Sequence, residues 1–300
     1  MAISKVRAQV NGTWYTLTLS GTNTYTATIT APGSTSYNQA GGYYNVAVEA
    51  TNTAGTVATV NATNLTGLKL VVKERVAPVI TIASPSSGAY VTNNKQPVVF
   101  NITDETGGSG IKLSSLVVKQ DGATVSSSNI KTTAITNGYS VTYTPATAMA
   151  DGNHTVTINV TDNDGNAAVE KTTTYKVDTV PPTLNILAPT VNLITNTASL
   201  VVRGSTNDTT LSPVTVTITL NGTDQGAVSV GTDGSFSKTI TLANGSNTIV
   251  VTATDAASKV STVSRIVTLD TSVPQVTSAT INPNPIDAGA TMVITVVVSG

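Results

Sequence analysis

The run Val214-Thr215-Val216-Thr217-Ile218-Thr219-Leu220 alternates apolar residues with threonine without a break. A side-chain period of two belongs to a strand: Val216, Ile218 and Leu220 fall on one face, and Thr215, Thr217 and Thr219 on the other. The same chemistry pervades the chain. Of 300 residues, 57 are Thr and 40 are Val. Both are β-branched, stiff at χ1, and favoured on a pleated, half-buried surface. Five dipeptides supply the positive φ of tight hairpins: Asn11-Gly12, Asp121-Gly122, Asn137-Gly138, Asn221-Gly222 and Asp233-Gly234. Short strands with such turns between them predict an all-β chain of sandwich type.

Self-comparison organises these strands into repeats. Gly42 to Gly55, Gly152 to Gly165 and Gly245 to Asp255 each read as a turn, an alternating strand and a polar turn. A further strand and a proline junction follow each: Arg75-Val76-Ala77-Pro78, Thr179-Val180-Pro181-Pro182 and Ser272-Val273-Pro274. Aligning the junctions sets Pro78 against Pro182 and Gln275, with periods of 104 and 93 residues, the size of one β-sandwich domain. The expected divisions are 1–75, 76–178, 179–271 and 272–300. With proline in each junction and almost no linker, the expected assembly is an elongated, semi-rigid array.

The two ends differ from the middle. Modules two and three open with two strands, Val79 to Ala83 with Pro97 to Thr103, and Thr183 to Leu187 with Ala198 to Gly204. Residues 1–75 have no counterpart to that pair, while 272–300 hold only such a pair. Met292, Ile294, Val296 and Val298 make the last strand apolar enough to need a cover. Donation of this pair to another subunit, by adding strands to its sheet, is one expectation; a degenerate first module and a partial fourth is the plainer one.

Three segments resemble tandem immunoglobulin-like modules of bacteria and phages: Asp151 to Asn166, Val177-Asp178-Thr179-Val180-Pro181-Pro182, and Asp104-Glu105-Thr106-Gly107-Gly108-Ser109-Gly110-Ile111. The resemblance implies tandem Ig-like β-sandwiches. It places such modules in surface adhesins, in secreted carbohydrate-active enzymes and on virions of tailed phages. The start Met1-Ala2-Ile3-Ser4-Lys5-Val6-Arg7 has no apolar core of a secretory signal. The leading expectation is therefore a structural and adhesive component of a phage or tail-like particle, assembled in the host cytoplasm and located on the virion. Its expected partners are other particle proteins, further copies of itself and possible host surface glycans. A bacterial cell-surface stalk or adhesin is the alternative, and accessory modules of a secreted carbohydrate-active enzyme a third.

Other classes are disfavoured. Net charge is -1 and only 10% of residues are charged, so there is no electrostatic footprint for nucleic acid. No apolar run is long enough for a membrane-spanning helix. The absence of Cys removes thiolate metal sites and cysteine nucleophiles. His154, the only histidine, would have to serve any Ser-His-Asp triad, yet it sits between Asn153 and Thr155 at a strand start and no nucleophile elbow occurs. It is expected to be an exposed strand-edge residue. Acids for a glycosidase pair are sparse and lie in turns. The chain is thus expected to be non-enzymatic, with no organic cofactor.

Two candidate sites remain. Asp104, Glu105, Asp162, Asp164 and Asp178 are hard oxygen ligands near module junctions and could hold Ca²⁺ there, although Asp and Asn are also ordinary turn formers. Trp14, Tyr15, Tyr43 and Tyr44 cluster in the first module. They could stack on sugar rings of a host glycan, or simply fill a core.

Overall fold

A computed structural model describes residues 2–208 and 212–300. The described residues are all-β apart from single 3₁₀ turns, and no helix among them is long and apolar enough to cross a membrane. The chain divides into two compact units, Met1–Val177 and Asp178–Gly300.

The first unit begins with a five-stranded antiparallel sheet in the order Thr24–Thr26, Thr13–Gly21, Ile3–Val10, Ala47–Asn52, Val57–Val60. Asn11 and Gly12 both take positive φ at its first hairpin, as the dipeptide requires. Val6, Ala8 and Val10 are buried on one face. On the other, Arg7 pairs with Glu49 at 2.6 Å and lies 4.2 Å from the centre of the Trp14 ring. A full opposing sheet is missing from this segment. Its connecting stretches carry only the two-residue ladder of Tyr44–Asn45 with Lys69–Leu70, and from them Tyr44 and Ala62 are also buried.

From Val79 the same unit forms a complete sandwich. One sheet runs Ile130–Ile135, Gly138–Tyr143, Val98–Thr103, Val79–Ser84; the other runs Ala123–Thr124, Val117–Gln120, Gly152–Asn159, Lys171–Val177, Ala89–Val91. Val98, Phe100 and Ile102 face inward at every second position. They share one core with Val141, Val118, Val156, Ile158, Tyr175 and Val177 from both sheets. Because the pleat sends alternate residues to opposite faces, Thr and Lys fill the intervening outer positions.

The second unit repeats this plan. Thr183–Ala188, Ser199–Asn207 and Ser235–Thr241 form one sheet. Leu193–Thr195, Val260–Leu269, Gly245–Thr254, Thr215–Leu220 and Thr223–Asp224 form the other. Val216, Ile218 and Leu220 are buried, as the alternation predicts, and join Val202, Phe236, Ile249, Val251 and Val267 in its core. Gln275–Asn282 and Val293–Ser299 then pair in a separate two-stranded hairpin whose residues are all exposed.

Candidate functional site

Within the first unit, the segment leading out of the opening sheet is bound to the loops of the following sandwich by a polar clamp. Asp164 Oδ2 accepts the Thr35 hydroxyl at 2.5 Å and the Glu74 backbone N–H at 3.1 Å. Glu74 Oε1 accepts the Ser109 backbone N–H. Asn38 Nδ2 donates to the Gly108 carbonyl at 2.7 Å, and Asn166 Nδ2 to the Glu74 carbonyl at 3.3 Å. The Gly107–Gly110 loop is held from its own side as well, by Asn163 Nδ2 on the Ser109 and Gly110 carbonyls and by Asp104 Oδ2 on the Gly110 N–H.

This clamp gathers acids. Glu74, Asp104 and Glu105 bring carboxylate oxygens within 4.8 Å of one another. Glu74 Oε2, Asp104 Oδ1 and Glu105 Oε2 are buried, and with all three acids ionised none of these oxygens meets a hydrogen-bond donor. Gly108 is what lets them converge: a Cβ there would sit 2.7 Å from Asp104 Oδ2 and 2.8 Å from Glu74 Oε2. The crowding shows in their protonation. The carboxylate of Glu74 accepts the proton of Glu105, and with burial adding to this Glu105 is pushed up to about 7. Burial raises Asp104 despite its bond from Gly110. Burial also works against Glu74, but hydrogen bonds from Glu105 and Ser109 prevail and hold it below the usual carboxylate range. Such a group of oxygens is neutralised either by a shared proton or by a hard divalent cation.

The five acids expected to act together do not form one site. Asp104 and Glu105 are in this cluster. Asp162 lies close to it in the fold but uses both oxygens on its own turn: Oδ1 accepts the Gly165 and Asn166 N–H groups at 2.6 and 2.8 Å, and Oδ2 accepts Asn166 Nδ2 at 2.7 Å. Asp164 is engaged in the clamp. Asp178 belongs to the second unit, where its carboxylate meets those of Asp208 and Asp255 within 4.8 Å. Glu74, Asp208 and Asp255 were not singled out from sequence, although the repeat carries the signal. Glu74 and Asp178, like Asp104 and Asp208, are 104 residues apart, and Asp162 and Asp255 are 93 apart, the same two periods as the junctions.

The aromatic candidates are distributed by the pleat. Trp14 lies opposite Gln9 on the outer face, beneath Arg7, while Tyr15 lies opposite Ala8 on the inner face. Tyr44 is buried and donates its hydroxyl to the Ser34 carbonyl at 3.2 Å. Lys69 sits 4.8 Å from the Tyr43 ring centre. Two of the rings thus carry a cation, and Tyr44 serves as packing. Met292, Ile294, Val296 and Val298 are exposed along the last strand.

His154 differs from expectation, with a side chain only 12% exposed. Its Nδ1 lies 2.7 Å from Asp121 Oδ2 and its Nε2 2.8 Å from the Ala150 carbonyl. Burial works against its charge, yet the Ala150 and Asp121 bonds outweigh it and raise the imidazole above its ordinary value. Both ring nitrogens are committed to a structural bracket closing the Asp121-Gly122 hairpin, which leaves neither for proton transfer to a substrate.

Two family models match parts of the chain. Residues 79–179 match the bacterial Ig-like domain. Residues 182–271 match domain B of glucodextranase. With the two-sheet topology, these matches make the chain a tandem of immunoglobulin-like β-sandwich modules. No curated protein sequence matches it. Among solved structures, the fibronectin(III)-like modules of Clostridium thermocellum CbhA are 18% identical over 64% of this chain and 94% of that one, with a TM-score of 0.40. Sidekick-1 immunoglobulin domains 1–5 are 13% identical over 99% and 60%, with a TM-score of 0.40. SGBP-B of Bacteroides ovatus, solved with a mixed-linkage heptasaccharide, is 14% identical over 95% and 69%, with a TM-score of 0.23.

Proposed function

We propose that the chain is a non-catalytic spacer, a string of Ig-like modules that holds contact surfaces at a set distance from an anchoring body. The observation that carries this reading is the clamp in the first unit. A joint bound by Asp164, Thr35, Glu74, Ser109 and Asn38 resists bending, which is what a spacer needs and a mere linker lacks. In the fuller form of this reading, the modules project from a phage or tail-like particle. They adhere through contacts that are individually weak and gain avidity from copy number.

Limited trypsinolysis of the chain tests the mechanical part. Lys73 and Arg75 are exposed cleavage sites inside the joint. Asp164→Ala should accelerate cleavage there by about tenfold, the equivalent of one lost charge-assisted hydrogen bond. An unchanged cleavage rate rejects a clamped joint. Co-purification of the chain with intact particles tests the setting.

The glucodextranase domain B match over 182–271 favours a second reading, an accessory segment of a carbohydrate-active protein. Retardation of the chain in polysaccharide-containing gels would support this alternative, and unaltered mobility would count against it.

A further inference from the structure

We propose that Asp178, Asp208 and Asp255 form a buried site for a hard divalent cation, Ca²⁺ by the class of its ligands, within the second unit. The three side chains come from separate stretches: Asp178 leads into the unit, Asp208 follows the strand Ser199–Asn207, and Asp255 follows the strand Gly245–Thr254. Their residues are 0%, 4% and 5% exposed. One carboxylate oxygen of each lies within 4.8 Å of the others.

The decisive feature is Asp178. It has no exposed surface, and neither of its carboxylate oxygens has a hydrogen-bond partner. A buried carboxylate without donors is among the least favourable groups a fold can contain, and here two more carboxylates face it. Asp255 is aimed by its own turn: Oδ1 accepts the Lys259 N–H at 2.8 Å, its backbone N–H donates to the Lys259 carbonyl at 3.1 Å, and Oδ2 is buried and unpartnered. Among the described residues neither Asp178 nor Asp255 takes part in an ion pair.

A cation resolves this geometry. An all-carboxylate set disfavours soft and borderline metals, which prefer thiolate or imidazole. Between the hard ions, Mg²⁺ retains several waters in a strict octahedron. Ca²⁺ accepts crowded and bidentate carboxylates in irregular geometry, and so suits a site with little exposed surface. Bound there, it would tie together three separate stretches of the chain. The site stands independently of the spacer reading. It differs from the Glu74–Asp104–Glu105 cluster, where Glu74 and Glu105 are only partly buried and Glu74 and Asp104 are hydrogen-bonded to Ser109 and Gly110, so the second-unit site should be the tighter of the two.

The test is calorimetric titration of the chelator-treated chain with CaCl₂, together with thermal melting in chelator and in millimolar CaCl₂. The expected result is saturable binding, with the second-unit midpoint raised by roughly 5–15 °C in Ca²⁺. Asp178→Asn should weaken the tightest event by at least about tenfold. Asp233→Asn, an exposed acid that caps its own turn on Ser235, should leave it unchanged. The sharpest sign is a crossing. Asp178→Asn removes like-charge repulsion, so it should melt above the parent in chelator and below it in Ca²⁺. Should that variant fail to fold, Asp255→Asn provides the same comparison, and the Ca²⁺ response of the parent provides the binding arm. Absence of saturable binding, binding unaffected by both substitutions, or an equal loss of stability with and without Ca²⁺ would overturn the proposal.

Discussion

Asp164 accepts the hydroxyl of Thr35 across 129 positions of sequence, at 2.5 Å. This bond joins the segment after the opening sheet to a turn of the next sandwich, and the Glu74 N–H shares the same oxygen. Asp164→Ala leaves a backbone N–H and a hydroxyl unsatisfied and should cost about 1–3 kcal/mol. Trp14, the single tryptophan, lies in the opening sheet, so its fluorescence in a urea titration reports this loss locally. Thr35→Val should cost less than Asp164→Ala, because it removes one donor and spares the Glu74 bond.

The His154–Asp121 bracket makes the first unit pH-sensitive in two windows. The folded value of His154 is raised above its unfolded 6.5, so its stabilisation is complete below that pH and is lost as pH rises through the folded value. For Asp121, burial is outweighed by bonds to His154 and Thr155, which hold it below 3.8. Its contribution is therefore present above that pH and is lost as pH falls through the folded value. As His154 is the only histidine, one imidazole resonance in a proton NMR titration reads its folded value directly. A midpoint at or below 6.5 would refute the bracket.

Gly108 is required by contact rather than by backbone conformation. Its α-carbon is packed under Asp104, Glu74 and Glu105, and a methyl group there must displace carboxylates. Gly108→Ala should destabilise the first unit by about 1 kcal/mol, the low end of overpacking costs, because the atoms it meets are the ends of side chains that can give way. Gly67→Ala, where an added Cβ meets nothing within 4 Å, is the matched control. Equal melting of the two variants would contradict the packing.

The terminal hairpin exposes Val276, Ile281, Met292, Ile294, Val296 and Val298. A two-stranded ribbon with apolar side chains open to water is marginal alone and offers edges to a partner. Removal of residues 275–300, or Val296→Lys, should lower concentration-dependent association measured by light scattering. Identical mass for parent and variants at all concentrations would dismiss strand donation.

Much of the fold could be read directly in the residues, because its signals are local. Val214 to Leu220 alternates in sequence and in burial, and Asn11-Gly12 takes the positive φ values that its residue types favour. The site is less legible, because a cluster of acids is a property of convergence. Asp162 and Asp164 look alike in sequence, yet one is saturated by its own turn and the other reaches Thr35 in a distant loop. Glu74 carries no local mark at all; only its place one repeat before Asp178 distinguishes it. The enclosure of His154 is hidden from the sequence for a related reason. The groups that enclose it, Asp121 and the Ala150 carbonyl, are contributed by other turns, and a strand-start position says nothing about them.

The joint also bears on where such a chain can be cut. Glu74 lies upstream of the proline junction, while its partner Ser109 lies well inside the sandwich that follows. The conventional cloning boundary, just before the first strand of a domain, would separate the two. A recombinant fragment starting at Val76 would carry the whole sandwich core but would leave the Ser109 N–H and the loop acids without Glu74. Recombination that shuffled modules at the prolines would likewise pair each module with a foreign acid. Expression fragments should therefore start several residues earlier than the strands suggest.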